Sequence, residues 1–386
     1  MLKGDIIKRG ESLPFAICSQ LGWIISGNTI TDDSNLTNTF TVNNLQLNTN
    51  ELVERFWSLD SIPEVKRISS EDKKCEEFFK TTHFRDQNGR YVVKLPFKDN
   101  PSRLGNSKDL ALQRFKSLER NLLRSPDTYD MYKHFMKEYL DLGHMEPVRS
   151  SESPSQAYYM PHHAVIKESS STSKIRVVFN ATSKSSSGLS INDILMTGPR
   201  IQQELFPVLV KFKSYPVVVT ADIMKMFRQI LVNEEDRNFQ RIFWRDSDPI
   251  QEFRLNTVTY GTASAPYLAT RALYQLAYDE QNNYPLASKA VLQNFFVDDC
   301  LVGAQNTEEC KNLVNQLLQM LERGGFLLRK WSSNDLSVLE NIPQELRNDS
   351  EAMKIQDDSS IKVLGINWNP REDYFNFSVS ISGEKL

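Results

Sequence analysis

Three aspartates stand out because of their neighbours. Asp222 ends the β-branched run Val217, Val218, Val219, Thr220, and Asp298 and Asp299 sit between the two apolar segments of QNFFVDDCLVGA, residues 293–304. Aspartate is disfavoured in strands, and a carboxylate among valines and phenylalanines loses its hydration unless protons or cations compensate. Two or three converging carboxylates are what a hard divalent cation such as Mg2+ requires. Two such ions about 4 Å apart activate an attacking hydroxyl and stabilise the leaving oxygen in phosphoryl transfer. The 76 residues between Asp222 and Asp298 are no obstacle if the strand ending at Asp222 lies beside a hairpin with the pair at its tip. Two other pairs, Asp32–Asp33 and Asp357–Asp358, lie in polar surroundings that read as solvated turns. A turn without chemistry is the competing reading of the pair at 298. Lys174 and Arg176 alternate with Ile175 and Val177, so both cations project from one face of a strand.

The elements that must position these residues follow from the pattern. MPHHAVIK and KIRVVFNA, within 158–180, are strand-like runs separated by the polar turn ESSSTS. A helix is expected near 199–212, then the strand ending at Asp222, then strands at Arg241–Trp244 and Glu252–Val258. Ser264 opens a helix with Pro266 in its first turn, running to about Asp279. QNFFVDDCLVGA reads as a tight hairpin with both carboxylates at its tip. Asn306 with Glu309 forms a capping box. Cys310, Leu313, Val314, Leu317, Leu318 and Leu321 then repeat at three and four until Gly324 and Gly325. This order predicts an α+β domain with helices on one face of an antiparallel sheet.

The rest of the chain carries no comparable cluster. Residues 1–50 hold β-prone pieces, FAICSQLGWIISG at 15–27 and NTFTVNNLQL at 38–47, too short to close a core of their own. From Glu51 to Val148 the chain is charged and helical, with Leu110, Phe115, Leu118 and Leu122 on one spacing and Tyr129 to Leu142 on another; Ser125–Pro126 starts the second helix. A serine-rich run at 150–156 marks a boundary.

Composition sets limits. At 386 residues, 40% hydrophobic and 25% charged, the chain has enough apolar material for two or three domains, which excludes pure disorder. The net charge is −3, with 22 basic and 21 acidic residues before Ser151 and 24 and 28 from it onward. Nucleic-acid binding must therefore rest on local placement of Lys and Arg. Cys18, Cys75, Cys300 and Cys310 include no C-x-x-C, which indicates neither a disulfide framework nor a zinc knuckle. Apolar runs are too short for a membrane span, and charges interrupt the start where a signal peptide needs its apolar core. A soluble chain in a reducing compartment is expected.

The ordered segments YYMPHHAV, KIRVVFNAT, LSINDILMTGP, VTADIMKMFRQI, YGTASAPYLA, FFVDD, GGFLLRKW and VLGINW, over about 158–368, resemble reverse transcriptases of LTR retrotransposons, most closely the Pao/BEL group. The resemblance implies a right-hand polymerase palm and fingers acting as an RNA-directed DNA polymerase with two Mg2+ ions, for which Mn2+ can substitute. It implies metal ligation by Asp222, Asp298 and Asp299 and by the backbone carbonyl of Ile223, with the three aspartates catalytic. Phe227 falls on the position of an aromatic ring that excludes a ribose 2′-hydroxyl; a plain core phenylalanine is the alternative. Lys174 and Arg176 fall in the strand that grips the incoming triphosphate, either one making the main contact. Tyr260 and Gly261 match the entrance to the nucleotide site, the glycine allowing close backbone approach, although retroviral enzymes carry Gln where Tyr260 stands. Lys330 matches the lysine that protonates the leaving pyrophosphate, or is a surface lysine. Leu364, Gly365 and Trp368 match the primer-grip hairpin. His162 and His163, adjacent on a strand, face opposite ways, which points to structural roles.

The expected organisation is a protease tail and linker at 1–50, suggested by LGWIISG, and a helical connecting region at 51–150. Fingers and palm follow at 151–345, and the primer-grip hairpin with the start of a thumb or connection at 346–386. The tail lacks the Asp-Thr/Ser-Gly of a retropepsin, so no peptidase activity is expected. Expected partners are primed RNA or DNA template, dNTPs and other polyprotein products, without a membrane. The expected location is the cytoplasm, in a virus-like particle if one assembles. The alternative is a truncated, catalytically inactive remnant that only binds nucleic acid or a partner.

Overall fold

The computed structural model describes residues 2–8, 15–19, 22–26, 69–149, 156–166, 175–246, 249–348, 361–363 and 366–376. Lys174, Leu364, Gly365 and the segment 38–47 lie outside them. The chain divides into two compact units, Met1–Lys66 and Arg67–Leu386. In the first, β1 (Leu2–Lys8), β2 (Phe15–Ser19) and β3 (Gly22–Ser26) form an antiparallel sheet in chain order.

The second unit begins with α1 (Ser70–Thr82), β4 (Phe84–Arg85), β5 (Tyr91–Val93), α2 (Lys108–Leu122), α3 (Pro126–Asp141) and β6 (Met145–Pro147). Next come β7 (His162–Ile166), β8 (Ile175–Phe179), the single turn α4 (Ile191–Ile194), α5 (Leu205–Lys213) and β9 (Val217–Ile223). They lead to β10 (Leu231–Val232), β11 (Arg241–Trp244), β12 (Gln251–Leu255), α6 (Ala265–Asp279) and α7 (Pro285–Asn294). Last are β13 (Phe295–Phe296), β14 (Asp299–Ala304), α8 (Thr307–Arg323), β15 (Leu328–Ser333), β16 (Ile361–Val363), β17 (Ile366–Asn369) and β18 (Tyr374–Asn376).

The sheet that matters runs β13-β14-β9-β15, antiparallel throughout. Its centre is β9, whose β-branched residues suit a strand covered on both sides. Val219, Ala221 and Ile223 enter the main core with Cys300 and Val302 of β14 and the buried faces of α6, α7 and α8. Val218 and Leu301 point the other way, into a smaller cluster with Val208 and Phe212 of α5 and Trp368 of β17. The three long helices thus share one face, and the short α5 covers part of the other. Helix α8 starts where Asn306 accepts from the Glu309 amide, and buries Cys310, Leu313, Val314, Leu317, Met320 and Leu321.

Three elements differ in extent from the sequence pattern: the first arm of the hairpin expected over 293–304 is only Phe295–Phe296, because Gln293 and Asn294 end α7. The helix expected near 199–212 starts at Leu205, after an extended Glu204 with ψ 148°. The strand expected to reach Val258 leaves its partner at Leu255, because the Val232 amide donates to Asn256 and the Val258 amide to Ile230. Residues 69–149 are woven into the same unit. β5 pairs in parallel with β10, β6 pairs with β12, and Tyr132, Met136 and Tyr139 of α3 are buried in the main core. Among the described residues no helix is long and apolar enough to cross a membrane.

Candidate active site

Asp222 is the penultimate residue of β9, and its partner across the ladder is Asp299, the first residue of β14. Asp298 stands beside them in the two-residue turn of the β13–β14 hairpin, its carbonyl accepting from the Ile223 amide at 2.8 Å. The hairpin with carboxylates at its tip is therefore present, and the turn is tight enough to drive Val297 to φ 57°. A β-branched residue in that region is strained by about 1–3 kcal/mol, and such strain gathers where function demands a shape. Among the described residues four non-glycines have positive φ. Val297, Lys225 and Lys330 are three of them, each within a few residues of a candidate site residue.

Lys330 reaches Asp222 through an irregularity. Strand β15 pairs Arg329 with Asp222 but Ser332 with Thr220, so one extra residue is inserted. A bulge of this kind turns two successive side chains to the same side. Arg329 Nε lies 3.4 Å from Asp222 Oδ1 and Lys330 Nζ 3.2 Å from Oδ2. The Asp222 side chain is 21% exposed.

The two other carboxyls are unbalanced. Burial, then the charge of Asp222, raises Asp298 above the usual carboxylate range, while Lys330 and Arg176 pull it back. Burial, then Asp298 and Asp222, pushes Asp299 up to about 7. Asp298 and Asp299, both raised by burial and by neighbouring carboxylate charge, form with Asp222 a donor set a divalent cation would relieve, so the chemistry of the residues fits such an ion. Among the described residues, however, no group of three or more His, Cys, Asp or Glu is drawn together as a metal cluster. Asp222 is shared with Arg329 and Lys330 instead.

Other expected residues surround this corner. Arg176, exposed on β8, pairs across its hairpin with Val165, and its charge reaches both Asp298 and Tyr260. Phe227 is half-buried in the turn after β9, its ring edge-on to Tyr260 with centroids 6.4 Å apart. The Tyr260 hydroxyl donates to the Val177 carbonyl at 2.7 Å. Gly261 has φ 101°, and a Cβ there would stand 2.9 Å from the Phe179 carbonyl oxygen, so backbone does approach closely. Trp368 is fully buried, edge-on to Phe212 at 5.2 Å, with Nε1 donating to Asp373. It holds β17 under α5. His162 is buried between the Tyr132 hydroxyl and the Phe243 carbonyl, while His163 is exposed, as opposite-facing neighbours should be. Burial lowers His162 to about 4, which keeps it neutral.

Several contributors had no distinguishing mark in the sequence. Arg329 stands opposite Asp222 in the β15–β9 register, which no local pattern announces. Asn192 of α4 donates to the Gly261 carbonyl and accepts from the Ala263 amide, fixing that loop. Arg90 donates to the carbonyls of Arg228 and Gln229.

An antiparallel sheet that sets two aspartates opposite each other at one end, backed by helices and fronted by a hairpin bearing arginine, is the palm and fingers of a right-hand polymerase. The model for the reverse transcriptase (RNA-dependent DNA polymerase) family matches residues 166–367, just over half the chain, and the chain belongs to that family. Among solved structures, the foamy viral protease–reverse transcriptase bound to double-stranded DNA is 14% identical, with a TM-score of 0.41 over 60% of this chain and 32% of its own. A Prototype Foamy Virus protease–reverse transcriptase mutant is 15% identical, with a TM-score of 0.40 over 53% of this chain and 24% of its own. The chain thus spans about a third or less of either protein. No curated protein matches the sequence.

Proposed function

We propose that the chain is the fingers and palm of an RNA-directed DNA polymerase from an LTR retrotransposon of the Pao/BEL type, extending a primer 3′-hydroxyl with dNTPs on an RNA or DNA template. Fingers and palm occupy 151–345, with the primer-grip hairpin beyond. The observation that carries this reading is the register of Asp222 against Asp299, with Asp298 adjoining, inside the family-matched region. Divalent cations, Mg2+ or in its place Mn2+, would be held by Asp222, Asp298, Asp299 and the Ile223 carbonyl. When bound they would activate the hydroxyl and stabilise the leaving oxygen.

The protein's own groups do the rest. Arg176 and Lys174 supply positive charge to the triphosphate. Phe227 closes the space a 2′-hydroxyl would need, and Tyr260 and Gly261 shape the entrance. Lys330 Nζ carries a proton toward the leaving pyrophosphate once it releases Asp222. Primed template, dNTPs and other polyprotein products are the partners, in the cytoplasm or a virus-like particle.

A second reading, a catalytically inactive nucleic-acid-binding module, draws on one observation: Asp222 is engaged by two cations rather than held for metal. Primer extension with Mg2+ and with Mn2+ separates the two. Asp222→Asn and Asp298→Asn are each expected to lower nucleotide incorporation by roughly a thousandfold or more, with circular dichroism unchanged and Asp357→Asn as the silent control. Wild-type activity surviving in Asp298→Asn would sink the two-metal assignment.

A further inference from the structure

The turn that carries Phe227 is anchored from outside the palm. Lys225, in the left-handed region at φ 52°, extends Nζ to Glu138 Oε1 at 2.9 Å. Arg228, three residues on and 6% exposed, donates to the same Oε1 at 2.8 Å and through Nε to His144 Nδ1 at 2.7 Å. Its guanidinium also lies over the Tyr139 ring, 4.0 Å from the centroid. One carboxylate on α3 therefore holds both flanks of Phe227. The Arg228 amide donates to the Lys225 carbonyl and Gln229 Nε2 to the Met224 carbonyl, closing the turn on itself.

The ring's neighbour is tied to the same helix. Tyr260, edge-on to Phe227, interacts electrostatically with the Tyr139 hydroxyl. Tyr139 in turn packs edge-on against Phe179 of β8 at 5.7 Å. Helix α3 comes from the segment before Ser150, for which the sequence offered no chemistry. A buried arginine with two directed partners is far more demanding than an apolar residue of its size, since an unpaired guanidinium there is strongly destabilising. An apolar side chain would have served packing alone.

We propose that Glu138, acting through Lys225 and Arg228, is the positioning residue for sugar selection: it fixes the Phe227 ring in register with Tyr260, so that discrimination between dNTPs and rNTPs depends on a helix outside the palm. This rests on reading Phe227 as the residue that excludes the 2′-hydroxyl. Exclusion by a single clash is sensitive to placement, because a shift of about 1 Å in a positioned group changes rates by up to roughly a hundredfold. Loss of Glu138 removes one anchor from each end of the turn at once, leaving Arg228 held only by His144 and the Tyr139 ring and its backbone by Arg90.

The test uses the purified chain on a primed template and measures kcat and KM for one dNTP and its matching rNTP. Wild type, Phe227→Val, Glu138→Gln, Arg228→Met and the double variant Phe227→Val with Glu138→Gln are compared. Glu138→Gln and Arg228→Met are each expected to raise the rNTP/dNTP ratio of kcat/KM by about tenfold, mainly through a lower KM for the rNTP. In the Phe227→Val background, Glu138→Gln is expected to add less than about twofold, because the two act as one unit. A ratio that moves in Phe227→Val but stays within about twofold in Glu138→Gln would reduce Glu138 to a packing residue and overturn the proposal. A ratio unmoved by Phe227→Val would instead remove the parent reading, as would a wild-type chain with no incorporation, and this inference with it. Should Glu138→Gln fail to fold, Lys225→Met, which cuts one anchor at a side chain 26% exposed, must raise the ratio. If it folds and leaves the ratio unchanged, the proposal is wrong.

Discussion

Replacing Asp299 by Asn should stabilise the metal-free protein. The Asp299 carboxyl, ordinarily near 3.8, stands at about 7 because of burial and then the charges of Asp298 and Asp222. At ~1.36 kcal/mol per unit, that gap sets an upper limit of ~4 kcal/mol against folding with the site fully ionised. The native state binds more protons than the unfolded chain between pH 4 and 7. Stability contributed by this group is thus highest below about pH 4, falls as the pH rises through that window, and levels off above about 7. Asparagine of the same shape removes the dependence. In urea titrations at half-unit steps from pH 4 to 8.5 with EDTA, Asp299→Asn should match wild type near pH 4. At pH 8 it should exceed wild type by ~2–4 kcal/mol. A shallower slope should remain from Asp298, which is raised for the same reasons. Millimolar Mg2+ should then stabilise wild type more than the variant, by mass action on the native state. If the variant followed the wild-type pH slope, or were no more stable at pH 8, the repulsion inferred among these carboxylates would be wrong.

Two further outcomes follow from the same corner. Gly261→Ala forces a side chain into φ 101° with its Cβ 2.9 Å from the Phe179 carbonyl oxygen; it should lower stability by about 1–3 kcal/mol, measured by urea denaturation, and a neutral change would mean the loop moves freely. Lys330→Met removes a cation that holds Asp299 down, so the Asp299 carboxyl followed by 13C NMR should titrate higher than in wild type; an unchanged midpoint would place Lys330 too far away to matter.

What the sequence made legible was local or strongly patterned. An aspartate after three valines is anomalous enough to mark Asp222, and the apolar flanks of Asp298 and Asp299 mark the hairpin. The three-and-four spacing from Cys310 to Leu321, with Asn306 before it, defines α8 almost to the residue. What stayed hidden depended on partners far along the chain. The bulge in β15 inserts one residue into an otherwise ordinary strand, and no pattern in LLRKWSS announces it. Val258 lies outside β12 because residues 256–258 bond to β10 instead, a competition settled only in three dimensions. Nothing in MFRQ marks Arg228 as buried; Glu138, His144 and Tyr139, all far along the chain, hold it there. The two-residue pairing of β5 with β10 is too short to leave a signature at all.

The central position of β9 also governs how the protein is made. Its neighbours in the sheet, β14 and β15, both follow it in the chain, the first pairing Asp299 with Asp222 across 77 residues. During synthesis VVVTADI therefore leaves the ribosome with both backbone edges open. At roughly 5–20 residues per second, about 4–15 s pass before its first partner exists, and longer before Leu328 arrives to close the other side. A β-branched strand left open that long is a template for pairing with other chains. Asp222 at its end, with Lys225 and Arg228 just beyond, places charge beside the most adhesive stretch during that interval, acting as a gatekeeper before the three aspartates have been brought together.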